Sequence, residues 1–301
     1  MPERNPELPT VDTANLLTWV RGLSGVRHGV ENPDELERRA FWLESLLAGF
    51  GYEPATQPVP YAGRIYRNLI ATLPGTRPEL PMLLLGAHYD GPPGSPGADD
   101  NASGVAVLLE TARLLAGTTP RRTIKLVAFT LEEPQGFARF LIGSDHYARL
   151  ARQNGEEYAV ALILESVGYC DHREGSQRLP TLVRVPGVSR GDFLAVIGNQ
   201  PSKEFAEGFA QVASRTVPEL RVIPYCAPPL LARLIPDLFL SDHASFWAQG
   251  YPALMLTDTV PLRNPHYHQP TDTVETLDME FLAGVAKAVV EVVRDWAEAE
   301  L

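Results

Sequence analysis

Met82-Leu83-Leu84-Leu85-Gly86-Ala87-His88-Tyr89-Asp90 opens with an unbroken apolar run and closes on a histidine and an acid. A strand with one wet face alternates apolar and polar residues; an unbroken run marks a strand covered on both faces. The pattern predicts a strand over 82–87, buried in a parallel sheet between two layers of helices. Similar runs follow. Thr123 to Thr130, Tyr158 to Leu164, Phe193 to Gly198 and Ala253 to Thr257 read as strands, as does Arg67 to Leu73, with an extended stretch from Arg221 to Tyr225.

Helical spacing fills the intervals. Leu16, Val20 and Leu23 share one stripe. Asn32 is placed to cap a helix with Pro33 in its first turn, Glu35 as a capping-box acid and Gly49 as its stop, and Leu36, Ala40, Leu43 and Leu47 fall on its inner face. Ala102 to Ala116, Ser144 to Arg152, Ser202 to Arg215 and Asp278 to about Ala299 read as further helices. The expectation is one α/β domain over 1–301: a three-layer sandwich, a mostly parallel mixed sheet with helices on both faces. The proline-rich stretch Ala227 to Pro236 reads as a surface loop.

Composition bounds the function. Of 301 residues, 45% are hydrophobic and 21% charged, as in a globular chain with a sizeable core. Acids exceed bases by 37 − 26, for a net charge of −11. Phosphate contacts need a basic footprint, so nucleic acid is not the expected partner, nor is a membrane surface. Cys170 and Cys226 are too few for a disulfide framework and read as free thiols. With no secretory leader pattern at the amino terminus, the expected compartment is the cytoplasm.

The chemistry collects at strand ends, where open α/β sheets carry their sites. His88 and Asp90 follow the first buried strand, Asp99-Asp100 precede the helix near Ala102, Glu132-Glu133 follow the strand ending at Thr130, Glu165 ends the next, and His266 and His268 lie in the loop after Thr257. Singly, each has an ordinary explanation. A His-X-Asp is common on surfaces, and paired acids favour helix starts. Delivered together to one sheet edge, imidazoles and carboxylates without thiolates suit zinc, cobalt or manganese, and the number of carboxylates suggests two ions sharing a bridge. His28, His146 and His172 lack such a context and are expected at the surface.

The segments Gly86 to Asp90, Gly97 to Val105, Glu132-Glu133, Ser241-Asp242-His243, Gly250 to Ala253 and Asn264 to Thr273 resemble, in this order, the co-catalytic zinc aminopeptidases, whose family also holds glutaminyl cyclases and the transferrin-receptor ectodomain. The resemblance implies a zinc-exopeptidase fold and hydrolysis of amino-terminal peptide or aminoacyl-amide bonds. It implies that His88, Asp100 and Glu165 hold one ion, that Asp100, Glu133 and His268 hold the other with Asp100 bridging, that Glu132 is the general base, and that Asp90 orients His88. It leaves His243 to structure or substrate contact. The chain departs from the family in two places. Glu165 stands where Asp is usual, and Pro134 to Ile142, with Phe137, Phe140 and Leu141, intervenes before Gly143-Ser144 as an expected loop over the pocket. A glutaminyl-cyclase-like acyltransferase with one metal, or a non-catalytic module on the same fold, are the alternatives; the retained ligand set favours hydrolysis.

Overall fold

Four strands lie side by side and run the same way: β4 (Ile124–Phe129), β3 (Met82–His88), β5 (Tyr158–Glu165) and β8 (Ala253–Thr257). The computed structural model describes residues 10–135, 141–180, 183, 185–228 and 234–299. Around the parallel centre, β1 (Ala55–Tyr61) and β2 (Arg64–Leu73) form an antiparallel edge, and β6 (Phe193–Gly198) and β7 (Arg221–Cys226) complete the other side, in the order β1-β2-β4-β3-β5-β8-β6-β7. The sheet is mixed and mostly parallel, as expected. β4 and β5 flank β3 on opposite sides, so connections leaving their carboxyl ends diverge and open a crevice there.

Both faces are covered. Leu83, Leu85 and Ala87 of β3 enter the larger core with α1 (Thr13–Leu23), α2 (Pro33–Gly49), α3 (Gly104–Leu115), α5 (Lys203–Thr216) and the carboxy-terminal α8 (Met279–Glu298). Leu84 turns to the other face, against Tyr147 of α4 (Ile142–Gln153) and Phe246 of α6 (His243–Ala248). That two-sided burial is why the run had no polar alternation. A single turn, α7 (Val260–Arg263), follows β8. Among the described residues no helix is long and apolar enough to cross a membrane.

Four local readings change. β1 was not anticipated, because Pro58 and Pro60 argue against a strand; it is an edge strand, where every second N–H is left without a partner and proline costs little. Asn32 heads α2 without a side-chain cap, its carbonyl accepting from the Glu35 and Leu36 N–H groups, and Glu35 pairs with Arg38 and Arg39 instead. The helix predicted from Ala102 starts with a wider turn over Ala98–Ser103. Gly97 makes that turn possible: its φ is +59°, and a Cβ there would lie 2.2 Å from the Asp100 carbonyl oxygen. Of the stretch 227–236, residues 229–233 lie outside the described residues, but Ala227 and Ile235 are buried with Val183 and Leu238 rather than on the surface. They roof the sheet over β6 and β7.

Candidate metal centre

The carboxyl ends of β4, β3, β5 and β8 bring the predicted side chains to one place. His88 ends β3, fully buried. Its Nε2 lies 3.3 Å from Asp100 Oδ1, 3.4 Å from Glu165 Oε2 and 3.8 Å from Glu132 Oε2. His268 Nε2 lies 3.1 Å from Asp100 Oδ2 and 3.4 Å from Glu133 Oε2. Asp100 therefore stands between two groups of donors, one oxygen toward each. His266, two residues away, faces Thr271 Oγ1 at 2.9 Å and stays outside the cluster. All five predicted ligands converge.

The surrounding structure aims them. Asp90 lies 3.4 Å from His88 Nδ1, so the ring presents Nε2 to the cluster. The same carboxylate accepts the backbone N–H of Glu132 at 3.0 Å and of Glu133 at 3.1 Å, which fixes the loop leaving β4. Asp272 does the equivalent for the other loop, accepting from Asp99 N and Asp100 N at 2.9 and 3.2 Å. Asp99 turns away and accepts from Gly168 N and Asn264 Nδ2. Ser241 donates to Glu165 Oε2 at 2.7 Å. Arg27, wholly buried, donates to the carbonyls of Tyr89, Pro96 and Gly97 and so ties the His88 loop to the Asp100 loop. No sequence motif marks Arg27, whereas Asp272 and Ser241 sat in quoted segments without a role.

His28 is not a surface residue. It is buried, its Nδ1 accepts from Glu31 N, and its Nε2 therefore carries the proton donated to the Pro134 carbonyl at 3.1 Å. His146 is half-buried and His172 is exposed. Phe137 and Phe140 of the expected pocket loop lie outside the described residues; at its end, Leu141 N returns to the Glu132 carbonyl at 2.8 Å, so the segment closes back on the end of β4.

The electrostatics call for a cation. His88 Nε2, Asp100 Oδ1, Glu133 Oε1 and His268 Nε2 are buried without a hydrogen-bond partner, a rare condition for so many adjacent polar atoms. Burial pushes Glu132 and Glu133 well above the usual carboxylate range; Glu165 adds to this at Glu132 and Asp100 at Glu133. Burial works against charge at His88 too, but Glu132 and Glu165 outweigh it and raise its pKa well above normal. At Asp100 the close approach of His268 and His88 overcomes burial and holds the carboxyl far below its ordinary value. Imidazoles with hard oxygen donors and no sulfur fit zinc-class ions, and the orphaned atoms are those such ions would meet.

Beside this centre an apolar cavity opens between β8, β6 and β7 and their covering loops. Phe193, Ile197, Tyr225, Ile235 and Met255 line it, and Glu165 and Tyr267 belong to its wall. Burial and the nearby Asp100 and Glu133 raise the Tyr267 phenol well above its ordinary value, so it stays a protonated donor at the junction of cavity and cluster. Tyr267 was not singled out from the sequence; only its place beside His268 could have marked it.

Residues 68–293 match the model of peptidase family M28. The chain belongs to that family. An uncharacterized Escherichia coli (strain K12) protein, YfbL, is 35% identical over 287 residues, covering 90% of this chain and 84% of that one. Leucine aminopeptidase 1 of Arthroderma otae is 27% identical, covering 98% of this chain and 76% of its own. In fold, the M28 chain resembles the crystal structure of Bacteroides thetaiotaomicron glutaminyl cyclase, with a TM-score of 0.70 at 19% identity over 96% of this chain and 99% of the other.

Proposed function

We propose that this M28 protein is a metal-dependent aminopeptidase preferring a large apolar amino-terminal residue. One observation carries the reading: a two-sided ligand cluster, with Asp100 facing both sides, shares Glu165 with an apolar cavity whose wall also holds Tyr267. His88, Asp100 and Glu165 would hold one divalent ion, and Asp100, Glu133 and His268 the second, zinc in the first instance. When bound, such ions acidify water and polarise a carbonyl. Glu132 lies beside the His88 and Glu165 donors with a raised proton affinity, suited to accept a proton from water and return it to the leaving amine. Tyr267 is placed to donate to an oxygen developing negative charge at the cavity mouth. The cavity takes an aliphatic or aromatic side chain, and leucine aminopeptidases among the relatives support that choice.

The test is a panel of aminoacyl amides and dipeptides with zinc, cobalt or manganese added. Leucine and phenylalanine substrates should be cleaved in preference to aspartate and lysine ones, with about two ions per chain. Cyclisation of amino-terminal glutamine with one ion would favour the glutaminyl-cyclase alternative. No turnover with any metal would leave the binding-module reading.

A further inference from the structure

A second group of metal-ligand side chains lies apart from this centre, where the loop leaving β5 meets the amino terminus of α8. Cys170, His172 and Asp278 each turn a donor atom into one space, with all three within 4.8 Å of one another. Cys170 Sγ is 3.5 Å from His172 Nε2, and His172 Nε2 is 4.0 Å from Asp278 Oδ2. Around tetrahedral zinc, sulfur and nitrogen donors stand about 3.6 Å apart and nitrogen and oxygen donors about 3.4 Å. The first separation is already met. The second closes by a small rotation of His172, whose side chain is free to move at the surface.

The orientation of each donor repeats what the main centre shows. His88 turns Nδ1 to Asp90 and Nε2 to its cluster; His172 turns Nδ1 to Asp192, at 3.9 Å, and Nε2 to Cys170 and Asp278. A hydrogen-bonded carboxylate behind a ligand histidine orients the ring and raises its basicity; Asp192 stands on that side of His172, at 3.9 Å still beyond hydrogen-bond range. Asp278 divides its work: Oδ1 caps α8 by accepting from Glu280 N and Phe281 N, leaving Oδ2 for the cluster. Asp278 and Asp192 lie on the acidic side of Cys170, and Arg263, an opposing cation, is engaged by Gln177 and the Phe193 carbonyl.

We propose that Cys170, His172 and Asp278 bind an accessory zinc-class divalent ion, with solvent as the remaining ligand. A thiolate beside an imidazole selects a borderline-soft ion over magnesium or calcium. The Cys170 thiol gives its proton to solvent as the sulfur–metal bond forms, and no oxidation state changes. The ion ties the loop that follows Glu165 to the cap of α8.

Sulfur separates this site from the dinuclear one, whose ligands are all nitrogen and oxygen. The full-length protein, stripped of metal and titrated with Co2+, should develop a near-ultraviolet sulfur-to-cobalt charge-transfer band. Cys170→Ser should abolish the band and bind one ion fewer; Cys226→Ser should keep both. His172→Ala should require more Co2+ to reach the same absorbance. A wild-type protein without the band, or a Cys170→Ser protein that retains it, overturns the site, whatever the titration shows at His88 and His268.

Discussion

Replacing Glu132 by glutamine removes a proton acceptor while leaving the backbone bond to Asp90 that positions it. Glu132→Gln should keep its metal and lose about 10²–10⁴-fold in kcat, the usual worth of a positioned general base. Metal analysis beside steady-state rates checks both halves, and an active variant sinks the assignment. Glu165 makes a finer test. Its Oε2 accepts from Ser241, so Glu165→Asp withdraws the carboxylate by about 1.5 Å, one carbon–carbon bond, from both Ser241 and His88. A displacement of about 1 Å at a reacting centre can cost about 10²-fold in rate. Reduced kcat with selective weakening of one ion is expected; wild-type affinity at both sites would exclude Glu165 as a ligand. The candidate ligands were legible at this scale because His88, Glu133 and Glu165 end or follow recognisable strands, while Asp100 and His268 lie in the segments that carry the family resemblance. Arg27 and Tyr267 were not, since a buried arginine and a loop tyrosine carry no local pattern and acquire their roles only from what the fold sets beside them.

Among the elements, α6 shows how a motif can be structural. His243 is fully buried, donates through Nε2 to the Leu238 carbonyl at 2.9 Å and stands edge-on to Trp247, outside the ligand cluster. Burial, only partly offset by that bond, lowers its pKa to about 4. An unfolded histidine titrates near 6.5, so between about pH 6.5 and 4 the unfolded chain binds more protons than the folded one. Stability from this group is therefore complete above pH 6.5 and falls as pH drops toward 4, by on the order of 3 kcal/mol. Because buried acids elsewhere slope the other way, the term is read as a difference: the stability gap between wild type and His243→Gln should change by that amount between pH 6.5 and 4, and a constant gap would mean the ring is protonated in place. The buried strands were legible because two-sided burial writes itself as an apolar run. β1 was hidden because proline tolerance depends on being at an edge, which is a property of the sheet order and not of the strand. The roof over β6 and β7 was hidden for a similar reason: its apolar residues are spaced by prolines, without a period.

For the whole molecule, concentrating acids in one crevice makes stability depend on metal and pH together. Burial, with Asp99 adding to it at Asp272 and the attraction of His88 opposing it at Asp242, raises both carboxyls to about 7. In the unfolded chain these groups titrate near 3.9. A folded-state pKa above the unfolded one stabilises fully below the unfolded value and loses that contribution as pH rises through the folded value. The metal-free protein should therefore melt at progressively lower temperature from about pH 4 to about pH 7, because the acid cluster can no longer keep its protons. Divalent ions replace those protons as counter-charge, and a ligand that binds only the folded state at a thousandfold excess over its Kd adds about 4 kcal/mol per site. Loaded protein should consequently show a flatter pH profile and a gap from the metal-free form that widens toward neutral pH. Asp242→Asn, which removes one buried acid without touching a ligand, should raise the metal-free melting temperature at pH 7 more than at pH 5. Calorimetry of chelated and zinc-loaded protein at both pH values measures this directly. Parallel profiles for the two forms would mean that the cluster is not the seat of the metal.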